Sequence, residues 1–134
     1  MNADQKLVAA ETTERVLGCY YDAYSELGYG FAESVYENAL ILLLKNAGLL
    51  VAQQEPFEVR FRGAVVGEYR ADLIVNREVI VEVKAVVSLA AVHEAQLVNY
   101  LKATGLEVGL LLNFGPKPQF KRRVLSKQNP RSSA

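Results

Sequence analysis

The sequence has little of the side-chain chemistry on which zinc sites and disulfide frameworks depend. Its 134 residues include one cysteine, Cys19, one histidine, His93, and no tryptophan. A single cysteine excludes an internal disulfide and any zinc site built from several cysteines. A single histidine also argues against a metal site based on histidine. Small domains stapled by zinc or by disulfides are therefore excluded.

Long apolar runs are missing as well. The longest extends over residues 39–44, far short of the roughly 20 residues that a membrane-spanning helix needs. The first four residues show no basic region followed by an apolar one, so no secretory signal is predicted. We expect a cytoplasmic protein that is not embedded in a membrane.

The composition is that of a folded domain with an uneven distribution of charge. The chain is 51% hydrophobic and 22% charged, which excludes global disorder. Its net charge is zero, yet residues 114–134 hold six bases and no acid. We predict a single domain over residues 1–115, followed by a basic and partly flexible tail over residues 116–134. Such a tail either contacts phosphates or only keeps the protein soluble.

Hydrophobic periodicity predicts one mixed α/β domain. Three segments have helical spacing and end at glycines or before them, and four have the alternating or continuous apolar pattern of strands. The last strand follows a helical crossover, which predicts that it lies parallel to an inner strand. In chain order the segments are helices 4–27 and 33–47, strands 57–62, 65–75 and 79–87, a helix 88–104 capped by Ser88, and a strand 107–114.

Two charged residues interrupt the most apolar strand. Glu82 and Lys84 lie two positions apart and therefore point to one face of it. If Val75 pairs with Val79 around a three-residue loop, Asp72 of the preceding strand lies opposite Glu82. A two-residue loop would place Asp72 opposite Val81 and separate the acids, and the loop lacks the glycine that a three-residue turn favours.

These three residues have two interpretations. Two carboxylates beside an ammonium form a site for a hard cation such as Mg²⁺, at which Lys84 could orient water and stabilise charge during phosphodiester hydrolysis. In the alternative, Asp72, Glu82 and Lys84 form a structural salt-bridge network in a protein-interaction domain. Removing Asp72 would then cost stability, because Lys84 would lose its compensation.

The same residues resemble a known family. Asp72, nine intervening residues and Glu82-Val83-Lys84 match the D…(D/E)xK signature of the PD-(D/E)XK nuclease superfamily. Segment 30–36, GFAESVY, resembles the signature of small bacterial GxxExxY proteins, which are grouped there. Segments 70–72, 96–105 and 109–115 are similar to that group too, so the resemblance covers about residues 10–125. It implies a restriction-endonuclease-like core, a mixed four-stranded sheet flanked by helices.

The resemblance also implies roles for residues outside the strand pair. An acid on the second helix supports the metal in this superfamily, which points to Glu33, and Tyr36 shares its face. Gln96 and Tyr100, at i and i+4 of one helix, resemble the QxxxY motif of RecB-type nucleases, which borders the active site. His93 extends that stripe and is a candidate general base or phosphate donor. In the alternative, Glu33 only compensates the dipole of its helix. Gln96 and Tyr100 would then lie on the solvent-exposed polar face of an amphipathic helix.

The resemblance implies a nuclease dependent on Mg²⁺ or Mn²⁺ that acts on nucleic acid, with DNA as the expected substrate. Lys121 and Arg122 are candidate contacts to its backbone if the tail docks beside the site. A chain of this length has little surface for substrate selection, so we consider a homodimer or a larger protein partner. The competing hypothesis is a nucleic-acid-binding module that keeps the fold without catalysis.

Overall fold

The computed structural model of the protein describes residues 9–126. The first seven helices and strands follow the order that the periodicity predicts, and the predicted α/β architecture is confirmed. The elements in chain order are α1 (Ala10–Leu27), α2 (Glu33–Asn46), β1 (Val51–Phe61), β2 (Ala64–Val75), β3 (Val79–Lys84), α3 (Ala91–Thr104), β4 (Val108–Phe114) and β5 (Pro118–Val124).

The five strands form one mixed sheet in sequential order, β1-β2-β3-β4-β5. Neighbouring strands are antiparallel except β3 and β4, which are parallel and joined through α3. The predicted parallel crossover is therefore confirmed. It brings the carboxyl end of β3 next to α3, which is where the charged residues of β3 lie.

Each face of the sheet carries its own hydrophobic core. The larger core packs α1 and α2 against the sheet through residues such as Tyr36, Leu40 and Val81. The smaller core packs α3 against the opposite face through Leu97 and Leu111. The sheet is thus a central layer between helices, and its inner strands are covered on both faces.

Several element boundaries differ from the sequence-based prediction. Strand β3 ends at Lys84 instead of continuing to Val87. Past that point the side chain of Asn113 pairs with the backbone of Val86, accepting its N–H and donating to its carbonyl at 2.9 Å each. The prediction that Ser88 caps α3 is wrong, because the helix begins at residue 91.

The C-terminal segment is not simply a tail. Residues 118–124 form the edge strand β5, which pairs with β4 over seven residue pairs. The predicted four-stranded sheet is therefore corrected to five strands, and the fifth strand lies beyond the domain end predicted at residue 115. The segment resembles a tail in sequence because edge strands carry charged residues that discourage further strand pairing. Phe120, whose side chain packs against the larger core, anchors it. Residues 127–134 lie outside the described part of the chain.

No helix within residues 9–126 is long and apolar enough to cross a membrane.

Candidate active site

The turn between β2 and β3 sets the register of the two acidic residues. Val75 pairs with Val79 and Leu73 with Val81, so the predicted three-residue register is confirmed. The turn contains no glycine, and Asn76 and Arg77 both adopt a positive φ of 54°. These are the left-handed conformations that a tight hairpin of primed type requires. Asparagine tolerates this conformation better than most residues.

The backbone pairing between β2 and β3 ends at Leu73 and Val81. Beyond this pair, two carboxylates accept the backbone hydrogen bonds. The backbone N–H of Val83 donates to Oδ2 of Asp72 at 2.8 Å, and the N–H of Asp72 donates to Oε2 of Glu82 at 3.0 Å. Both backbone donors are therefore satisfied by side chains instead of strand partners. We call this opening between the strands, with Asp72 and Glu82, the carboxylate fork.

A third acid reaches the fork from helix α2. Glu37 is 8% exposed, and its Oε2 accepts hydrogen bonds from Nε2 of Gln53 at 3.1 Å and of Gln54 at 2.8 Å. Nε2 of Gln54 also lies 3.3 Å from Oδ1 of Asp72. Gln54 thus bridges two carboxylates, and it does so with a positive φ of 52° in the middle of β1. Backbone strain of this kind clusters at functional sites.

The sequence interpretation assigned the supporting role to Glu33, which lies one helical turn before Glu37. Glu33 lies in the first turn of α2 with an exposed side chain, and no hydrogen bond within residues 9–126 joins it to the fork. Helical spacing puts Glu33 and Glu37 on one stripe. The signal that favours Glu37 is its place beside Tyr36 and Leu40, on the buried part of the helix.

Burial makes the fork carboxylates hard to ionise. It is the main cause that raises the pKa of Glu82 to about 8, and the neighbouring charge of Asp72 adds to the rise. Burial also raises the pKa of Asp72, opposed by the hydrogen bond from Val83 and reinforced by Glu37. Two acids with raised pKa values favour any cation that can neutralise them.

Lys84 interacts with the two carboxylates through its charge, which lowers the pKa of Asp72 and of Glu82. Its Nζ lies 3.5 Å from Oε1 of Gln96 on α3. Within residues 9–126 it forms no salt bridge with an acid. The structure therefore brings together the predicted lysine and glutamine, and it leaves the negative charge of the fork without a bonded cationic side chain.

Tyr100 lies beside the same acids. It is 8% exposed, and its ring contacts those of Phe57 and Tyr69, with centroid distances of 5.3 and 5.5 Å. Burial, with the charges of Glu82 and Asp72, raises the pKa of Tyr100 to about 12. Its phenol consequently stays protonated near neutral pH and can act as a hydrogen-bond donor.

Other candidate residues have structural roles in this fold. Nδ1 of His93 accepts the N–H of Ala90 at 2.9 Å and so caps the start of α3. The hydroxyl of Tyr36 donates to the carbonyl of Gly28 at 2.7 Å and accepts the N–H of Phe31 at 3.1 Å. The two bonds of Tyr36 hold the loop before α2. The hydrogen bonds of His93 and Tyr36 therefore direct neither side chain into the fork.

The two basic candidates of the C-terminal segment lie two strands away from β3 in the sheet. Lys121 and Arg122 lie on β5, paired with Leu111 and Leu110 of β4. Strand β4 separates them from β3, which carries Glu82 and Lys84. The structure does not bring these two residues to the fork.

The oxygen donors fit a hard divalent cation. No group of three Asp, Glu, His or Cys side chains within residues 9–126 converges closely enough to hold an ion as it stands. Mg²⁺, however, is usually bound by only one or two carboxylates and keeps several waters. Asp72 and Glu82 supply those two, and Glu37 is linked to them by Gln54. The residues present are therefore chemically suited to such an ion.

Replacing Gln54 tests whether its strained backbone is retained for the bridge. We expect Gln54→Ala to lower the free energy of unfolding by about 1–3 kcal/mol, because Glu37 and Asp72 lose a shared donor. Gln54→Gly should recover about 1 kcal/mol of this loss, since glycine adopts a positive φ without strain. Urea denaturation at pH 7 measures both. Equal stability of the two variants would contradict the role assigned to the strain.

Comparisons with known proteins concern the family and the fold of this chain. A family model described as the PD-(D/E)XK nuclease superfamily matches residues 10–124. The solved crystal structure of SSO0001 aligns with a TM-score of 0.55 and 21% sequence identity, covering 90% of this chain and 61% of that chain. At that identity the likeness concerns the fold alone, and this chain spans only 61% of the length of SSO0001. No curated protein matches the chain.

Proposed function

This chain belongs to the PD-(D/E)XK nuclease superfamily, and from that premise we propose that it is a nuclease dependent on Mg²⁺ or Mn²⁺ that hydrolyses phosphodiester bonds of DNA. The observation that carries the proposal is the carboxylate fork. Asp72 and Glu82 face each other across it, and burial raises the pKa of both. The narrower assignment to the GxxExxY group, a cytoplasmic location and a homodimer or larger partner stay predictions.

In this proposal Asp72 and Glu82 hold the cation, and Glu37 takes the supporting role that the sequence assigned to Glu33. Gln54 keeps Glu37 and Asp72 at a fixed separation through its shared amide. When bound, the divalent cation supplies Lewis-acid activation of the scissile phosphate and lowers the pKa of the attacking water. The hydrogen bonds from Val83 and Asp72 N–H groups keep the two carboxylates oriented toward one another.

Lys84 and Tyr100 complete the catalytic face. The ammonium of Lys84 offsets the negative charge that develops on the phosphate oxygens, and Gln96 fixes its position at 3.5 Å. The phenol of Tyr100, with its pKa raised to about 12, donates a hydrogen bond to a phosphate oxygen and does not act as a base near neutral pH. His93 has no assigned role, since one of its ring nitrogens caps α3.

A cleavage assay with labelled DNA tests the proposal. Linear, circular, single-stranded and branched DNA, and RNA, are incubated with the protein in Mg²⁺, Mn²⁺ or EDTA. We expect cutting that requires the metal and falls more than about 100-fold in Asp72→Asn, because a cation ligand is lost. Glu68→Gln is the matched control, since it neutralises an exposed acid on the same strand.

Two results would overturn the nuclease proposal. One is cutting that persists in EDTA or in Asp72→Asn, which would indicate a contaminant or another site. The other is no cutting of any substrate with either metal. Binding of nucleic acid that survives Glu82→Gln would then favour the non-catalytic binding module.

A further inference from the structure

A cavity of about 710 Å³ lies between the β1–β2 hairpin and α3. We call it the hairpin–helix cavity. Tyr69 contributes from β2, and Gln96, Asn99, Tyr100 and Lys102 contribute from α3. Its volume is within the range of roughly 300–1,000 Å³ that is common for small-molecule sites. The acids of the fork do not line it, but Gln96 and Tyr100 belong to both places.

An exposed aromatic ring, that of Tyr69, lines the cavity and packs against two other rings. Tyr69 is 47% exposed, whereas Tyr100 beside it is only 8% exposed. The ring centroid of Tyr69 lies 5.5 Å from that of Tyr100 and 6.2 Å from that of Phe57. A ring that packs on one buried ring, Tyr100, and one partly buried ring, Phe57, has little conformational freedom to lose. Such rings serve as stacking platforms for single nucleobases.

The polar groups of the cavity suit a nucleotide as well. Gln96 and Asn99, three residues apart on α3, carry amides that both donate and accept hydrogen bonds, as base edges do. Lys102 lies three residues further along the helix and is exposed. At the rim, Arg60 pairs with Glu58 at 2.7 Å. Within residues 9–126, Lys102 is therefore the cation of this cavity without an acidic partner, and its charge complements a phosphate.

We propose that the hairpin–helix cavity binds an unpaired nucleotide of the substrate strand, with its base stacked on Tyr69 and its phosphate next to Lys102. The inference rests on the proposed nuclease function and names its substrate as single-stranded DNA or an unpaired end. Bases inside a duplex are stacked on their neighbours and cannot reach such a ring. Gln96 joins the two places, because it lines the cavity and contacts Lys84.

Binding in EDTA tests the cavity without requiring catalysis. The probes are a fluorescein-labelled single strand of about 12 nucleotides, a length suited to one binding site, and the matching duplex, followed by anisotropy. We expect the single strand to bind more tightly, and Tyr69→Ala to weaken that binding about tenfold. Tyr69→Phe keeps the ring and should bind like the original protein. Lys102→Ala should reduce the salt dependence of log Kd by about 0.7.

Matched controls separate these effects from general damage. Tyr21 is 45% exposed on α1, where it belongs to the opposite side of the sheet, so Tyr21→Ala should leave binding unchanged. Lys45→Ala is the matched control for Lys102→Ala. Lys45 lies in the last turn of α2, as Lys102 lies in the last turn of α3. Thermal melting checks folding. If Tyr69→Ala fails to fold, the salt slope of the surface variant Lys102→Ala and the comparison of single strand with duplex still test the proposal.

The outcomes distinguish this inference from the proposed function. Equal losses in Tyr69→Ala and Tyr21→Ala, a duplex that binds as tightly as the single strand, or an unchanged salt slope in Lys102→Ala would overturn it. A protein that cleaves duplex DNA without any effect of Tyr69 remains a nuclease and loses the cavity assignment. A protein that binds single strands through Tyr69 but cuts no substrate keeps the cavity and loses the nuclease.

Discussion

Glu82→Gln is expected to stabilise the metal-free protein at pH 8 by about 4 kcal/mol, which raises its melting temperature by roughly 10 °C. The physical reason is the burial of this carboxyl beside Asp72, which raises its pKa to about 8. A glutamine of the same shape carries no charge to desolvate, and its carbonyl oxygen can still accept the N–H of Asp72. Thermal melting in EDTA measures the shift.

The effect of Glu82 on stability depends on pH in a defined direction. The ordinary pKa of a glutamic acid side chain is 4.5. Below that pH the carboxyl is protonated in both the folded and the unfolded chain, so it does not lower the free energy of unfolding. Between that value and about pH 8 the unfolded chain loses the proton first, so the folded state of the original protein becomes progressively less stable. Glu82→Gln should remove this slope, and Glu68→Gln should keep it. A slope of the same size in Glu82→Gln would contradict the assignment.

A divalent cation should offset the loss of folding stability that the charged Glu82 causes. It should do so in the original protein and not in Glu82→Gln. In the proposed cation site Mn²⁺ would displace a proton from the folded fork, so its affinity should increase as the pH rises toward 8. We expect the melting temperature of the original protein to increase with added Mn²⁺, whereas that of Glu82→Gln does not. This difference separates a cation site from a structural network of Asp72, Glu82 and Lys84.

Lys84→Met is expected to lower kcat for DNA cleavage by about 10²–10⁴-fold while Mn²⁺ binding is retained. In the proposed mechanism the ammonium of Lys84 compensates charge on the reacting phosphate and does not hold the cation. Methionine keeps the length and the apolar stem of the side chain, so the packing of β3 is preserved. Cleavage rates under saturating Mn²⁺, together with Mn²⁺ titration by calorimetry, give both quantities.

Two further variants define the role of Lys84. Gln96→Ala should cost only about tenfold in kcat, because Gln96 acts by positioning Nζ of Lys84 at 3.5 Å. Lys45→Ala removes a lysine far from the fork and should leave kcat unchanged. If Lys84→Met also abolished Mn²⁺ binding, the loss of cleavage would report a damaged cation site, and the direct role of Lys84 would be wrong.

Much of the fork could be predicted from local sequence. The alternation of Val79, Val81 and Val83 identifies a central strand, and the period of two places Glu82 and Lys84 on one face. The opposition of Asp72 and Glu82 depends only on the length of one turn. The missing glycine argued against this loop, yet the loop forms because Asn76 and Arg77 both adopt the left-handed conformation.

The supporting residues could not be predicted in this way. Glu37 and Gln54 meet through the approach of α2 to β1, two elements whose relative position is set by the larger core. Nothing in the sequence around Gln54 indicates a positive φ in mid-strand. His93 fits a site stripe by its spacing, yet the start of α3 at residue 91 turns it into a cap.

The sequence by itself determined the order and type of the first seven elements, the parallel crossover from β3 to β4, and the acidic pair with its lysine. These follow from side-chain periodicity and from the geometry of one hairpin, which act over a few residues. Only the tertiary structure decided that Glu37 and not Glu33 joins the fork, that residues 118–124 complete the sheet, and that a cavity opens between α3 and the β1–β2 hairpin. These depend on how distant segments pack, and local spacing does not encode that.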